Sequence, residues 1–373
     1  MGIASMNPAF SLYLDIVRFA AACLVYLTHS NQRWLVSDVV PASVFAHSAV
    51  VVFFVLSGFV IAYVTATKDR DWIAYTSSRL SRIYSVALPA LLLTLVLDAI
   101  GRQLLSSVYH FPFDYFAVRL LASAFMLNEW WFVSITTFSN APYWSITFGL
   151  WSCAAFGLLT FVRGRAEWAW GLGLLLVMGP KIILLAPLWW LGVYLYHSPT
   201  FRGLSVASAW LLFLLSFISI ILFQAFELST YFSEMLRGYV GGALHRELTF
   251  SNFFLGDYIL SPLVFLNFAG ARRLLQSASA TPMILARLIW WTASSTFILY
   301  LVHQPVLTFW GAVLRGDPSG WNYWVVTTLL TAVTVVLISL ATEAQRFRMR
   351  NSFSGALTTA SVWLRRGRGK HAF

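Results

Sequence analysis

The chain is short of charge. Asp, Glu, Lys and Arg make up 10% of its 373 residues, against about 25% in an ordinary soluble domain. That shortage excludes a water-soluble globular enzyme. Cysteine is almost missing: Cys23 and Cys153 each lie in an apolar run without CxxC spacing, the pattern of buried inert thiols rather than a redox pair or a metal site. A cleavable leader is not expected, because Met1-Gly2-Ile3-Ala4-Ser5 carries no base and the first apolar run continues to His29 without a cleavage signal. Met6 stands where N-myristoylation needs Ser or Thr. Repeats of about 20–50 residues and inverted duplications are also lacking, which speaks against solenoids and repeat-built transporters.

Apolar residues are what the chain has, at 59%, with seventeen Trp suited to membrane-interface belts. About twenty apolar residues cross a bilayer as a helix. Ten such stretches are expected, at 9–29, 44–66, 83–101, 143–162, 167–179, 181–196, 204–225, 251–268, 288–310 and 321–341. The fifth and sixth are short and meet at Gly179-Pro180, as the arms of one broken hairpin would. Residues 114–133 contain Asp114, Arg119 and Asn128, which favours an interfacial or re-entrant helix over a span. The expected fold is therefore an all-α integral membrane protein. It has about ten transmembrane helices in one bundle over 1–345, one additional outer-side or re-entrant helix, and a basic tail over 346–373. Residues 364–370 are expected to be disordered and able to touch anionic lipid.

The net charge of +11 would suit nucleic acid, but its placement argues otherwise. With a cytoplasmic N-terminus, seventeen of the twenty-five Lys and Arg fall on the inner side, seven on the outer, and Arg18 lies within the membrane. This is the positive-inside pattern. It puts both termini in the cytoplasm and leaves no call for a nucleic-acid partner.

Against this background the ionisable residues inside the spans stand out, since each is costly there and points to function. Arg18 and His29 are eleven residues apart in the first span, close to three helical turns, so both point the same way about 16 Å apart along the axis. Asp15 is a local partner for Arg18 at i,i+3. The plain alternative is an internal Asp–Arg clamp with a wet interfacial histidine. His29 falls at the outer end of its span, with His303, Asn140, the Tyr143-Trp144-Ser145 stretch and Asp257 at similar depth. An imidazole there suits a general base acting on an acceptor hydroxyl. At the inner end Arg79 and Arg82 suit a phosphate-bearing anion or simply lipid headgroups. His47, His110, His197 and His245 carry no constellation and read as loop or interface residues.

Several blocks together resemble the membrane-bound acyltransferase-3 family of bacteria. They are Leu14-Asp15-Ile16-Val17-Arg18-Phe19-Ala20 with His29, then Val51 to Ile61 around Ser57-Gly58, then Arg79-Leu80-Ser81-Arg82-Ile83-Tyr84. Asn140-Ala141-Pro142-Tyr143-Trp144-Ser145 and Ser294 to Pro305 around His303 complete the set, in the family's order. The resemblance implies His29 as catalytic base, Arg18 as its companion, Arg79 and Arg82 as the cytoplasmic site for the phosphates of acyl-coenzyme A, and His303 in the same cavity. Asn140, Trp144 and Ser145 would meet the acceptor, and Ser57-Gly58 would serve close helix packing. The implied co-substrate is acyl-CoA, most commonly acetyl-CoA, and the acceptor a glycan or lipid-linked sugar; the inner membrane of a bacterium, with its lipid, is the implied setting. No metal is implied.

One departure bears on the chemistry. Relatives read Trp-Ser-Leu-Ser-x-Glu where this chain reads Trp144-Ser145-Ile146-Thr147-Phe148-Gly149, so the glutamate position is Gly149. Asp257 and Glu343 are the carboxylates considered as substitutes, with Asp257 preferred and a structural carboxylate as its plain alternative. A transporter or flippase without acyl-transfer chemistry is the competing reading, separable by coenzyme-A dependence. A membrane sensor acting through residues 346–373 is a third.

Overall fold

The computed structural model describes residues 6–31, 45–164, 166–278, 283–318 and 320–368, and among them the long elements are all helices. In chain order they are α1 (Pro8–Ser30), α2 (Ala46–Thr67), α3 (Trp72–Leu104), α4 (Phe116–Ala124), α5 (Trp144–Phe161), α6 (Ala166–His197), α7 (Val206–Ala225), α8 (Leu228–Val240), α9 (Gly242–Glu247), α10 (Phe254–Leu274), α11 (Met283–Leu314) and α12 (Trp321–Arg368). Local chemistry sets the starts. Asn7 caps α1 by accepting from the Ala9 amide, with Pro8 at the first helical position, and Asp71 caps α3 through the Ala74 amide at 2.9 Å.

Nine helices among the described residues are long and apolar enough to cross a membrane, and one of them, α6, is bent into two arms. Gly179 interrupts α6 with φ 69° and ψ 174°, a left-handed conformation suited to glycine. The first arm starts five residues after α5 ends beside Tyr75, near the start of α3. It reaches Trp131, whose Nε1 donates to the Leu176 carbonyl at 2.8 Å. The second arm leaves from Lys181, bonded to Glu129 and Ser134, and returns to put Tyr196 against Phe59 and Tyr63 of α2. The broken hairpin expected at Gly179-Pro180 is thus what the fold contains. Both described chain ends lie at one end of the bundle: the Asn7 amide reaches the Gln276 carbonyl, and Arg350 reaches Asp69.

The bundle therefore has a basic end, with Lys68, Arg79, Arg82, Arg272, Arg346 and Arg350, and a histidine end, with His29, His47 and His303. Between them, α2 and the returning arm of α6 touch backbone to backbone. A Cβ on Gly58 would sit 1.9 Å from the Trp189 carbonyl oxygen, and one on Gly192 1.9 Å from that of Val55. Small residues allow this approach, and Trp189 Nε1 donates to Ser57 Oγ at 3.3 Å.

Three expectations are corrected. The helix sought over 114–133 is only the nine residues of α4. Positive φ at Met126 and Trp131 breaks it off, and the chain dips inward, where Trp151 Nε1 donates to the Met126 carbonyl, before returning. The expected disorder of 364–370 does not hold over 364–368, because α12 continues unbroken from Trp321 to Arg368; residues 369–370 lie outside the described residues. That helix is about 72 Å long at about 1.5 Å per residue, and the Ala, Glu, Gln, Arg and Met between 341 and 350 favour helix where it leaves the apolar stretch. Lastly, α8 and α9 cover a stretch between spans for which no helix was expected.

Candidate active site

At the histidine end, α1 and α11 bring His29 and His303 together across 274 residues of sequence, Nδ1 to Nε2, at 2.7 Å. The ring centres are 5.0 Å apart and the planes 13° apart. With so short a nitrogen contact, the rings meet edge to edge rather than face over face. His303 Nδ1 lies 2.9 Å from the Leu299 carbonyl oxygen. A carbonyl only accepts, so His303 Nδ1 carries its hydrogen. With both rings neutral, His303 Nε2 is then an acceptor and His29 Nδ1 must donate to it. His29 Nε2 is left with its lone pair. The three groups form a relay that fixes one tautomer of His29.

The motifs around His303 make structural sense of each other. Pro305 has no amide hydrogen, so the Leu301 carbonyl one turn earlier loses its usual helical donor. Asn140 Nδ2 replaces it at 2.8 Å, and also reaches Thr94 Oγ1 at 3.2 Å. At the start of α5, the Tyr300 hydroxyl and Ser145 Oγ are 2.7 Å apart, and Ser145 also donates to the Pro142 carbonyl. The Asn140-to-Ser145 block thus clamps α11 on one side. On the other, Tyr26 donates to Thr328 and Trp324 to Ser30, which ties the end of α1 to α12. Trp144 is not on the histidines; it stacks on Phe250 with ring centres 4.2 Å apart and planes 4° apart.

At the basic end a cavity of about 380 Å³ opens between α1, α3, α11 and α12. Arg18, Lys68, Arg82 and Arg346 line it, and Asp15 is the one carboxylate in the lining among the described residues. Arg18 holds Asp15 at 3.3 Å, the local pairing expected from their spacing. Arg18 therefore belongs with Arg82, about 16 Å along α1 from His29 at about 1.5 Å per residue. Arg79 does not share this cavity. It is buried, donates to Asp69 at 2.7 Å and to Ser78 at 2.9 Å, and borders a separate apolar cleft with Cys153 and Tyr75. The cavity runs inward to Ser85, Val86, Phe297 and Ile298. Ile298 is about 7.5 Å along α11 from His303 at about 1.5 Å per residue.

Asp257 is fully buried, but its partner is His47, at 2.8 Å between Oδ1 and Nε2, and not His29. His47 was read as carrying no constellation, and the structure corrects that. His245 likewise meets Ser233 at 2.9 Å. Another carboxylate went unconsidered: Asp98 of α3 is fully buried and accepts from the Ser139 amide at 2.9 Å and from Ser139 Oγ. A charged residue inside an apolar span was the available signal. Lys68 and Arg346 were counted only as topological charges. The side chain of Glu343 lies outside the described residues.

The whole constellation, from Asp15 at the basic cavity to the His303 relay, falls inside one matched unit. The acyltransferase-3 family model, described as an acyltransferase domain, matches residues 11–343. No curated protein and no solved structure matches the chain. With nearly all of its spans inside that match, the chain belongs to the acyltransferase-3 family and is a multi-pass membrane acyltransferase.

Proposed function

We propose that the protein is an O-acyltransferase that takes a short acyl group, acetyl first among candidates, from cytoplasmic acyl-CoA. The acceptor is a hydroxyl of a glycan or polysaccharide precursor at the opposite face of a bacterial inner membrane. The observation that carries the reading is the placement of two unlike sites along α1 and α11: a cavity with four cations at one end and a histidine with an open nitrogen at the other. Guanidinium and ammonium groups suit the phosphates of a nucleotide-bearing thioester. The positive-inside pattern supports a cytoplasmic basic end, and the pantetheine arm would lie along the Val86 and Ile298 side toward the histidines.

In this reaction the acceptor oxygen attacks the thioester carbonyl carbon while His29 Nε2 takes the hydroxyl proton. The carbon–sulfur bond breaks, CoA leaves as thiolate, and the proton on His29 goes to that sulfur. His303 and the Leu299 carbonyl hold His29 in the tautomer that can accept the proton. Arg18, Arg82, Lys68 and Arg346 hold the donor. Gly149 supplies no carboxylate, and the relay ends on the Leu299 backbone carbonyl.

The test compares surface glycans from cells with the intact protein, with His29→Ala at equal membrane level, and with none. Base-labile acyl esters found by mass spectrometry only with intact protein are the expected result, and the added mass names the donor. Esters persisting in the His29→Ala cells would remove His29 from the mechanism. Purified protein that releases no thiol from acetyl-CoA or other short acyl-CoA thioesters would favour the transporter reading.

A further inference from the structure

The His47–Asp257 couple takes no part in the proton relay. A carboxylate oxygen only accepts, so His47 Nε2 carries the hydrogen that it shares with Asp257 Oδ1. Asp257 Oδ2 is buried and has no hydrogen-bond partner among the described residues. The same is true of Asn252 Oδ1, five residues earlier on the turn that leads into α10. An unmet buried acceptor is costly, and here two lie on one short stretch that also carries Phe253, the ring packed on His47.

The surroundings are aromatic. Phe253, between Asn252 and Asp257, packs on the His47 ring at 4.4 Å between centres, and Phe250 lies flat on Trp144. Trp144 adjoins Ser145, whose hydroxyl meets Tyr300, and the Tyr300 ring neighbours His303 at 6.3 Å. The couple therefore belongs to the histidine end and connects to the relay through Trp144, Ser145 and Tyr300.

Resting on the acyl-transfer reading, we infer that His47, Asp257 and Asn252 form the acceptor subsite and that it takes a polyhydroxylated molecule such as a sugar. Both unmet atoms there among the described residues, Asp257 Oδ2 and Asn252 Oδ1, are acceptors, so the ligand must bring more than one donor. An aliphatic alcohol brings one, and an anion such as the CoA phosphates brings none and is repelled by Asp257. Apolar ring faces suit the C–H faces of a sugar. The two ends thus sort the two substrates by opposite chemistry, cations for the anionic donor and acceptors for the hydroxyl-rich acceptor. Asp257 and His47 are positioning residues in this scheme.

The experiment is saturation-transfer NMR on the full chain in lipid nanodiscs, titrated with methyl glucoside, with glucosamine as a cationic arm and cyclohexylmethanol as the single-hydroxyl control. The expected result is binding of methyl glucoside and none of cyclohexylmethanol. Asp257→Asn, which turns the open acceptor into a donor, and His47→Gln should each raise the methyl glucoside Kd at least tenfold, with the acetyl-CoA Kd unchanged as the check on folding. Unchanged methyl glucoside affinity in both variants, absence of binding to the intact chain, or equal binding of cyclohexylmethanol would overturn the subsite. Preference for glucosamine over methyl glucoside would replace the neutral polyol with an ammonium-bearing one and overturn the neutral assignment. Binding that follows the expected pattern in a protein that never cleaves acetyl-CoA would uphold the subsite and sink the acyl-transfer reading instead.

Discussion

The two ends of the bundle handle polar groups in opposite ways. At the basic end the charged groups surround a cavity: Arg18, Lys68, Arg82 and Arg346 line it, with Asp15 among the described residues. At the histidine end polar side chains are buried and tightly joined, in the relay from Leu299 to His29, in the clamp from Asn140 to Leu301, and in the Asp98–Ser139 pair. An open cationic cavity binds through field and adaptable side chains, so losing one charge weakens it in proportion. A closed hydrogen-bond relay works through orientation, where losing one member removes the function of the rest.

That contrast is broken most sharply at His29. His29→Ala should lower acyl-transfer kcat by about 10²–10⁴-fold, the usual contribution of a general base, while the acetyl-CoA Kd stays unchanged. His303→Ala should lower kcat in the same direction by about 10²-fold, because His29 then loses its fixed tautomer. His303→Gln, which can still accept from His29 Nδ1, should recover part of that loss. Equal loss in the two His303 variants, measured by thiol release, would mean that packing and not tautomer is what His303 supplies.

The next effect concerns how the histidine end is held. Lys181 is fully buried and donates to Glu129 at 2.6 Å, to Ser134 Oγ at 2.7 Å and to the Val133 carbonyl at 2.9 Å. This joint fixes the hairpin tip of α6 against the re-entrant segment. Lys181→Met leaves Glu129 buried without its cation and should cost about 3–5 kcal/mol of stability, seen as a fall in Tm in detergent. The double variant Lys181→Met with Glu129→Gln should recover part of it.

Much of this architecture was legible because its signals are local. Gly179-Pro180 announced the hairpin, charges inside 114–133 announced a segment that does not span, and the Arg18–His29 spacing put both on one face of α1. The Asp15–Arg18 pair followed from the same rule. What was not legible depends on contacts between distant segments. His47 meets Asp257 across 210 residues, and nothing local to either marks the other. Arg79 and Arg82 read as one site from their i,i+3 spacing, yet Asp69 captures Arg79 and leaves Arg82 to the cavity. The length of α12 was missed for a different reason. Its basic C-terminal part looks like a disordered tail by charge, while Phe353 packs on Tyr84 and Arg350 on Asp69 to hold it against the bundle.

Effects at the basic end should be smaller and should fall on binding. Arg18→Gln and Arg82→Gln should each raise KM for acetyl-CoA about tenfold, the loss of one charge-assisted hydrogen bond of roughly 1.5 kcal/mol, with kcat nearly unchanged. The loss should shrink with added salt, since the cavity is open to solvent. A fall in kcat with constant KM for Arg18→Gln would tie that residue to the histidines after all.

The smallest effect sharpens the comparison within a single carboxylate. Asp69 is buried and meets two guanidinium groups, Arg79 at 2.7 Å and Arg350 at 3.3 Å. The Arg79 side chain is 10% exposed and that of Arg350 47%, so one pair belongs to the protein interior and the other to its surface. Removing an exposed partner costs about 0.2–1 kcal/mol, whereas removing a buried one leaves a desolvated charge and costs several times more. Arg350→Gln should therefore leave Tm within a few degrees of the intact protein, and Arg79→Gln should lower it clearly. If the two variants lost equal stability, the part of α12 at the basic end would be as integral to the bundle as α3. Asp69 would then be the pin that joins them.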